Sequence, residues 1–191
     1  MGYTTDFNGQ FDLNKPLAPE HKAYLEAFSG TRRMYRDASI TETRPDPVRL
    51  AAGLPVGLDG GYFVGEGGHA GQGEWAWGTN PEQFGILGYN NSPSGQPGLW
   101  CQWVPNDDGT AIWWACGEKF YNYIEWIEYL IEHFFKRWGY VLNGEVEWFG
   151  EDSNDRGMIC IEDNVVKVKV AKITYEVTRI LGVQNVGAVG S

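Results

Sequence analysis

One stretch of the chain, from Gln96 to Gly150, constrains the fold more than any other because aromatic residues recur in it at two different spacings. In its first part Trp100 and Trp103 flank Cys101, and a Trp-Trp pair follows at 113–114, which is typical of strands. In its second part apolar residues recur every three or four positions, as on one face of an amphipathic helix. The sequence therefore predicts a dense aromatic core that a helix and a sheet share.

The best-defined element is a helix over residues 123–138. Its apolar stripe predicts that four residues are buried: Trp126, Ile127, Leu130 and Phe134. Glu128 and Glu132 lie on the opposite side, and Glu132 is four residues before Lys136, which favours an ion pair. The helix is therefore expected to lie against a sheet with its acidic side in water.

The ends of this helix carry their own signals. Asn122, with Glu125 three residues later, is typical of a capping box, in which each side chain accepts a hydrogen bond from the other residue's backbone N–H. Gly139 supplies a C-terminal stop.

The remaining elements follow from alternating apolar runs and turn residues. In chain order they are a strand at 3–13 with a bulge at Asn8-Gly9, a helix from Pro19 to about Gly30, a hairpin of Leu99–Val104 and Ala111–Ala115 around Asn106–Gly109, and strands at 140–149, 158–162 and 165–170, with 173–180 as an extension of the sheet. This order predicts an α+β two-layer sandwich. Two helices would lie on one face of a mostly antiparallel sheet, as a ferredoxin-like β-α-β-β-α-β core with extra C-terminal strands.

Length and composition predict one domain over residues 1–191. Within it, residues 41–94 are rich in glycine and proline and are expected to form a long connection, while 181–191 are expected to be a frayed tail.

The net charge of −10, from 25 acidic and 15 basic residues, argues against non-specific nucleic-acid binding, which needs cations on phosphates. The three cysteines Cys101, Cys116 and Cys160 are too widely spaced for a disulfide framework and fall in runs expected to be buried strands. There is neither a signal-peptide pattern at the N-terminus nor an apolar run of membrane-spanning length. A cytoplasmic, reducing setting without membrane contact is expected.

Five sequence blocks resemble a family of small uncharacterised proteins from bacteria and phages. They are LNKPLAPEH at 13–21, FSGTRRMYRD at 28–37, SGQPGLWCQWVPNDDGT at 94–110, GEKFYNYIEWIEYLIEHFF at 117–135 and WGYVLNGEVEWFGEDSNDRGMICIEDN at 138–164. The resemblance covers most of residues 1–165 and weakens across about 66–88. It implies a shared fold and a mobile-element setting, and it brings no activity or catalytic residues with it.

Two groups of side chains are candidates for binding a ligand or partner. Arg32, Arg33 and Arg36 form the one basic cluster, and guanidinium groups suit phosphates and carboxylates. The alternative is that these arginines pair with nearby acids and hold the edge of the sheet. Trp100 and Trp103 are three residues apart, so in a strand they would point to opposite faces, one into the core and one outward as a stacking surface.

A third group is the turn that contains Glu151, Asp152 and Asp155. Carboxylates of this kind suit Mg²⁺ or Ca²⁺, but the spacing does not match a calcium-binding loop, and Asp, Asn and Gly are ordinary turn residues. None of the three histidines has a second ligand at a zinc-site spacing. The sequence therefore predicts neither a metal site nor a haem, flavin or nicotinamide cofactor.

These observations predict a non-enzymatic binding module that contacts a protein partner or a small anionic ligand. The resemblance to bacterial and phage proteins implies the role of an accessory or anti-defence factor in a phage or prophage. The alternative is a Mg²⁺-dependent hydrolase or phosphotransfer enzyme. It would use the carboxylates of Glu151, Asp152 and Asp155 together with the Arg32 and Arg33 guanidinium groups, and would require the two groups to converge in one pocket.

Overall fold

The computed structural model describes residues 3–67, 85–172, 174 and 176, and these contain eight strands and five α-helical segments. The strands are β1 Thr5–Leu13, β2 Tyr35–Arg36, β3 Ile86–Gly88, β4 Trp103–Pro105, β5 Ala111–Trp114, β6 Leu142–Gly150, β7 Arg156–Glu162 and β8 Val165–Val170. The helices are α1 Pro19–Gly30, α2 Ala38–Thr41, α3 Pro47–Ala51, α4 Tyr123–Leu130 and α5 Lys136–Trp138. A 3₁₀ turn spans Leu58–Gly60, and a π-helical turn spans Ile131–Phe135.

Six of the strands form one sheet in the order β4-β5-β1-β6-β7-β8. Every pair of neighbours in it is antiparallel, and so is the separate β2–β3 pair. The chain is therefore α+β with a mostly antiparallel sheet, as the alternation of strand-like and helix-like runs predicts. The predicted extension of the sheet over 173–180 and the predicted tail at 181–191 lie almost wholly outside the described residues.

The core lies between the helices and one face of the sheet. Phe11 of β1 is directly opposite Ile112 of β5, and Val146 of β6 is opposite Ile159 of β7, so these side chains share a face. All four belong to a buried cluster that also contains residues of α1 and α4. The alternate residues of β1, which are polar, are exposed on the other face. The alternation along each strand thus decides which face the helices cover.

The predicted helix at 123–138 is confirmed in its burial but not in its regularity. Trp126, Ile127, Leu130 and Phe134 are buried, Glu128 and Glu132 are exposed, and Lys136 contacts Glu132 at 2.6 Å. After α4 the backbone widens into the π-helical turn and then returns to an α-helix that ends at Gly139 in a left-handed conformation. The wider turn lets two successive aromatic side chains, Phe134 and Phe135, both be fully buried.

The predicted capping box at Asn122 and Glu125 is wrong. Asn122 adopts a left-handed conformation (φ 54°), and its side chain makes no capping hydrogen bond. Instead its amide group donates to the carbonyl oxygen of Pro97. A contact with a distant loop has replaced the local one.

The predicted bulge at Asn8-Gly9 is also wrong. β1 pairs with β6 without a break from Thr5 opposite Gly150 to Leu13 opposite Leu142. Gly9 is needed because its φ is +113° and because a Cβ there would clash with the carbonyl oxygen of Glu145. The glycine marks a close approach of two backbones.

The hairpin around Asn106–Gly109 is confirmed, but its first strand is shorter than predicted. Residues 99–102 are irregular, and β4 begins only at Trp103. Of the cysteines, Cys160 is buried in β7 and Cys101 is buried outside a strand. Cys116, predicted to be in a buried strand, is exposed after β5.

The long connection predicted for residues 41–94 contains short regular elements where the structure describes it. They are the end of α2, α3, the 3₁₀ turn and β3, and β3 pairs with β2. Within the described part of the chain, no helix is long and apolar enough to cross a membrane.

Candidate functional site

The arginine cluster that the sequence singles out is split by the fold. Arg33 and Arg36 are 2% and 1% exposed, so neither guanidinium group forms part of a solvated basic surface. Arg33 donates hydrogen bonds to the carbonyl oxygens of Thr31, Gly61 and Phe63 and packs over the ring of Phe28. Arg33 therefore joins α1 to the connection through backbone carbonyls rather than through acids.

Arg36 packs over the ring of Phe63. Burial lowers the pKa of Arg36 to about 9, and the charge of Arg33 acts in the same direction. Arg32 is only partly buried; it packs over the ring of Tyr89 and donates to the carbonyl oxygens of Tyr89 and of the Asn90 side chain. The three arginines thus have three different environments.

A buried ion pair next to this region has no sequence signal that marks it as buried. Asp46 and Arg49 are 1% and 5% exposed, and Arg49 Nε donates to Asp46 Oδ2 at 2.8 Å. The same carboxylate accepts a hydrogen bond from the backbone N–H of Val64 at 3.2 Å. Burial is the main cause that raises the pKa of Asp46, while the hydrogen bonds from Arg49 and Val64 oppose it. The pair fixes the start of α3 to Val64, further along the same connection.

The carboxylates of the 151–155 turn are used in local structure. Asp155 accepts hydrogen bonds from the Tyr3 hydroxyl at 2.6 Å and from Trp148 Nε1 at 3.0 Å. Glu151 accepts from the backbone N–H of Thr4, and Asp152 accepts from that of Asn154. These contacts join the turn to the start of β1, whereas Arg33 contacts residues 61 and 63.

Within residues 3–67 and 85–172, no group of three or more His, Cys, Asp or Glu side chains is arranged to hold a metal ion. The carboxylates at 151, 152 and 155 are therefore close in sequence without forming such a group.

A cavity of about 800 Å³ opens at the end of the β4–β5 hairpin. Three parts of the chain surround it: Ser29 at the end of α1, the irregular segment 98–102, and the segment 115–122 that leads into α4. The two backbones separate here, beyond the hydrogen bond that the backbone N–H of Ala115 donates to the carbonyl oxygen of Gln102. The cavity is therefore the space between two diverging chain segments, closed on one side by Trp126.

Hydrogen bonds hold the walls of this cavity in place. Gln102 Nε2 donates to the carbonyl oxygen of Glu118 at 2.9 Å, and Gln102 Oε1 accepts from Trp114 Nε1 at 2.9 Å. Ser29 Oγ donates to the carbonyl oxygen of Cys101 at 2.7 Å. A methyl group on Gly117 would lie 2.8 Å from Gln102 Oε1, so the wall is also closely packed. The cavity is preformed rather than a gap between loose loops.

One polar atom in the wall has no partner. Trp126 is fully buried, and its indole Nε1–H makes no hydrogen bond within the described part of the chain. The other buried tryptophans in the described part of the chain do make one: Trp103 Nε1 donates to the carbonyl oxygen of Tyr123 at 2.8 Å, and Trp148 Nε1 donates to Asp155 Oδ1 at 3.0 Å. An unsatisfied buried N–H costs on the order of 1–3 kcal/mol. Because this nitrogen is itself buried, a ligand in the cavity does not reach it in this structure.

Three left-handed residues occur close together on the segment that forms one wall. Cys116, Lys119 and Asn122 have φ values of 57°, 58° and 54°. None is glycine, so each such conformation costs on the order of 1 kcal/mol, and strain of this kind concentrates at functional sites. The strain is concentrated where the chain borders the cavity.

Aromatic side chains stand at the opening. Trp100 and Tyr121 line the cavity and are 42% and 54% exposed. Trp103, the other tryptophan that the sequence singles out, is 1% exposed and belongs to the core. Of the five predicted binding residues, only Trp100 lines this cavity; Arg32, Arg33, Arg36 and Trp103 do not.

Sequence reasoning therefore found one residue of the site and missed three: Trp126, Lys119 and Tyr121. Trp126 was assigned to the core, which is correct for its ring and gives no information on its N–H. No sequence signal marks these residues, because the failed cap at Asn122 depends on the contact with Pro97 and is visible only in the structure.

The chain matches no protein-family model, and none of the curated proteins or solved structures compared with it matches significantly. The resemblance to small bacterial and phage proteins stays a prediction.

Proposed function

We propose that this protein is a non-enzymatic binding module and that the cavity beside Trp126 holds its ligand, a small molecule with a flat apolar part. The observation that carries the proposal is a cavity of about 800 Å³ with two exposed aromatic rings, Trp100 and Tyr121, at its opening. Ligand sites are typically apolar cavities of roughly 300–1,000 Å³ with a few placed polar groups.

The chemistry of the lining supports binding rather than turnover. The apolar surface comes mainly from Leu99, Trp100, Ala115 and Tyr121. Among the neutral polar side chains, those of Ser29, Gln102 and Asn122 already hold the walls. The two charged residues, Glu118 and Lys119, are exposed.

The position of Trp100 adds the stacking surface. The indole of Trp100 is 42% exposed beside the cavity, so its ring offers an apolar face on which a planar group can stack. Burial of an aromatic ring between Trp100 and Tyr121 would contribute about 25 cal/mol for each Å² of apolar surface removed from water.

We also propose that the core is ferredoxin-like. The elements β1, α1, β4, β5, α4 and β6 follow one another as β-α-β-β-α-β, and the order β4-β5-β1-β6 with antiparallel neighbours supports that topology. On this proposal the cavity lies where the second and third core strands separate, and β7 and β8 extend the sheet.

The test uses two aromatic probes that carry an oxygen acceptor, 2-naphthoate and 2-naphthamide, with the indole N–H signals of ¹⁵N-labelled protein as the readout. We expect at least one probe to shift the signals of Trp100 and Trp126, which line the cavity, through the ring current of the bound aromatic group. The signals of Trp103 and Trp138, which do not line the cavity, should stay in place.

A matched pair of variants locates the binding. Trp100 and Trp113 are 42% and 46% exposed, but only Trp100 lines the cavity. Trp100→Ala should weaken binding of the probe about tenfold or more, and Trp113→Ala should leave it unchanged. If neither probe moves the Trp126 signal, or if both variants bind equally well, the cavity is not a ligand site.

A further inference from the structure

The sheet has an open face, opposite the helices, on which exposed charged side chains are sorted by sign. We infer that two copies of this chain associate through this face, about a two-fold axis that runs along the strands between β6 and β7. β4 and β5, at whose end the cavity opens, lie outside this contact. The association therefore does not require the function proposed above.

Strands β1 and β6, which lie side by side, supply the acidic half of the open face. Asp6 and Asp12 of β1 are exposed there. Glu145 and Glu147 of β6 are exposed as well, and Val146 between them is fully buried in the core, which places the two carboxylates on the open face. Within the described part of the chain, the one ion pair that involves these four acids joins Glu145 to a lysine of β8. Three of the four negative charges are therefore balanced by no ion pair in this part of the chain.

Strands β7 and β8, at one edge of the sheet, supply the basic half. Arg156 of β7 is exposed, and its guanidinium group packs over the ring of Phe149, 5.5 Å from the ring centroid. Lys167 and Lys169 of β8 are also exposed. Lys167 contacts the carboxylate of Glu162 at 2.7 Å, but both of these side chains are more than half exposed. Exposed pairs of this kind contribute little to stability, so these cations can be shared with a partner.

The strand register places the two halves side by side in rows. In one row Glu147 of β6 is opposite Met158 of β7, and Met158 is opposite Lys169 of β8. The next row runs in the same way from Glu145 to Lys167. Each of these rows therefore passes from an acid near the middle of the sheet to a lysine at its edge.

This order of charges selects one way of placing two open faces together. A two-fold axis across the strands would put each strand over the same strand of the second copy, and so acids over acids. A two-fold axis along the strands, between β6 and β7, puts β8 of each copy over β1 of the other and β7 over β6. Basic strands then meet acidic strands twice, because a two-fold contact repeats each pairing.

Lysine side chains are long enough to make these contacts. Lys169 lies in the row that contains Asn8. With the axis along the strands it lies over Asn8 of the second copy, two residues or about 7 Å from Asp6. Lys167 lies one row further along, also two residues from Asp12. Each lysine is therefore within reach of an acid, since the side chains of two facing sheets interdigitate.

The contact has the size of a weak interface. It joins four strands of six to nine residues in each copy, which at about 4.8 Å between strands and about 3.3 Å per residue cover roughly 400 Å² in projection. Contacts that bury less than about 1,200 Å² in total are typical of transient association. The net charge of −10 adds repulsion, which is screened beyond about 8 Å at about 0.15 M ionic strength. We therefore expect a dissociation constant on the order of 10–100 µM.

Sedimentation equilibrium of the natural chain measures this association. Over protein concentrations of about 5–500 µM at about 0.15 M ionic strength, the average mass should rise from the monomer value of 21.4 kDa toward twice that value.

Charge reversal identifies the face. Lys167→Glu/Lys169→Glu would put acids over the acids of β1. Asp6→Lys/Asp12→Lys would put lysines over the lysines of β8. Each variant alone should therefore have a dissociation constant at least about tenfold higher than that of the natural chain. An equimolar mixture of the two variants should dimerise again, because acids of one copy then face lysines of the other at both contacts. Recovery in the mixture would also show that neither variant is misfolded.

Lys22→Glu/Lys136→Glu is the control. These lysines lie on α1 and α5, on the helix side of the sheet, and each contacts an acid four residues away. The change in net charge equals that of Lys167→Glu/Lys169→Glu, so an effect of net charge alone would appear in both variants. We expect the dissociation constant of the control to stay within about twofold of that of the natural chain, because its altered charges are far from the contact and screened.

Three results would overturn the inference. If the natural chain stays monomeric over the whole concentration range, the open face is not a contact between copies. If the natural chain dimerises but the mixture of reversed variants does not, the copies associate elsewhere, for example through the edge of β8. If the control dissociates as readily as Lys167→Glu/Lys169→Glu, net charge rather than this face governs the association.

Discussion

The hydroxyl group of Tyr140 accepts a hydrogen bond from the backbone N–H of Ala18 at 2.9 Å, and so satisfies a group at the start of α1 that no local side chain reaches. The same hydroxyl lies 3.0 Å from His21 Nδ1, and His21 stacks on Trp138 at 4.1 Å. Tyr140, which caps α1, therefore comes just after the end of α5.

Removal of that hydroxyl tests the cap. Tyr140→Phe keeps the ring, which is 4% exposed, and removes the hydroxyl group with its contacts to Ala18 and His21. Because loss of a capping group typically costs about 1 kcal/mol, we expect the free energy of unfolding in urea to fall by about that amount. Tyr121→Phe, at a hydroxyl on a side chain that is 54% exposed, is the control and should change it little. Equal effects would show that the Tyr140 hydroxyl does not act as a cap.

Replacement of Gly9 tests the close approach of β1 and β6. Gly9→Ala would place a methyl group against the Glu145 carbonyl oxygen at a φ of +113°. Gly95→Ala is the control, since its φ is +80° but nothing lies within 4 Å of the new Cβ. We expect Gly95→Ala to cost about 1 kcal/mol from backbone strain and Gly9→Ala to cost at least about 2 kcal/mol more, measured by urea unfolding. Similar costs would mean that the strands move apart without penalty.

The buried pair of Asp46 and Arg49 should be much more sensitive to loss of one partner than to loss of both. Asp46→Ala leaves the Arg49 guanidinium buried without its carboxylate, which typically costs about 3–5 kcal/mol. The double variant Asp46→Ala/Arg49→Met replaces the charge with an apolar side chain and should recover part of that loss. Calorimetric or urea unfolding measures both. A double variant less stable than the single one would contradict the expectation.

Two histidines should make the protein less stable at mildly acidic pH. Burial is the main cause that lowers the pKa of His21 and of His133 below the ordinary value of 6.5. His133 is half-buried, with its Nδ1 2.6 Å from the Tyr62 hydroxyl and its ring stacked on Tyr129. At mildly acidic pH the two histidines therefore bind protons more readily in the unfolded chain than in the folded chain. The stabilising contribution is complete above pH 6.5 and is lost as the pH falls through the two folded-state pKa values.

The measurement is the free energy of unfolding in urea at pH 7.5 and 5.5, for the natural chain and for His21→Gln/His133→Gln. We expect a larger decrease in the natural chain. Asp46, whose raised pKa acts in the opposite direction, is the same in both proteins and cancels in the comparison. The same pH dependence in both proteins would show that the histidines do not cause it.

Local patterns predicted the fold where local physics decides it. The apolar stripe of residues 123–138 correctly identified which side of the helix is buried, because burial of a helix face follows from the spacing of its apolar residues. The strands predicted at 158–162 and 165–170 correctly leave Asp163 and Asn164 as the turn of the β7–β8 hairpin, where both adopt positive φ. The site was less predictable, because its properties depend on contacts between distant segments.

Asn122 and Gly9 show why. In sequence each has an ordinary local explanation, a cap for Asn122 and a bulge for Gly9. In the structure Asn122 donates to Pro97, and Gly9 makes room for the backbone at Glu145. The same holds for the arginine run. Arg33 is buried by contacts with residues 61 and 63, which no pattern near position 33 could indicate.

The π-helical turn at Ile131–Phe135 has a consequence for how the chain length can vary. Its five residues form a wider turn than an α-helix makes, so the segment between α4 and α5 contains one residue more than an α-helix would need to connect the same two points. A relative that lacks one residue here could keep both flanking helices in place, with Trp126 still at the cavity and Trp138 still on His21. The same deletion inside α4 would rotate every later residue by about 100° and move those two tryptophans out of register with each other.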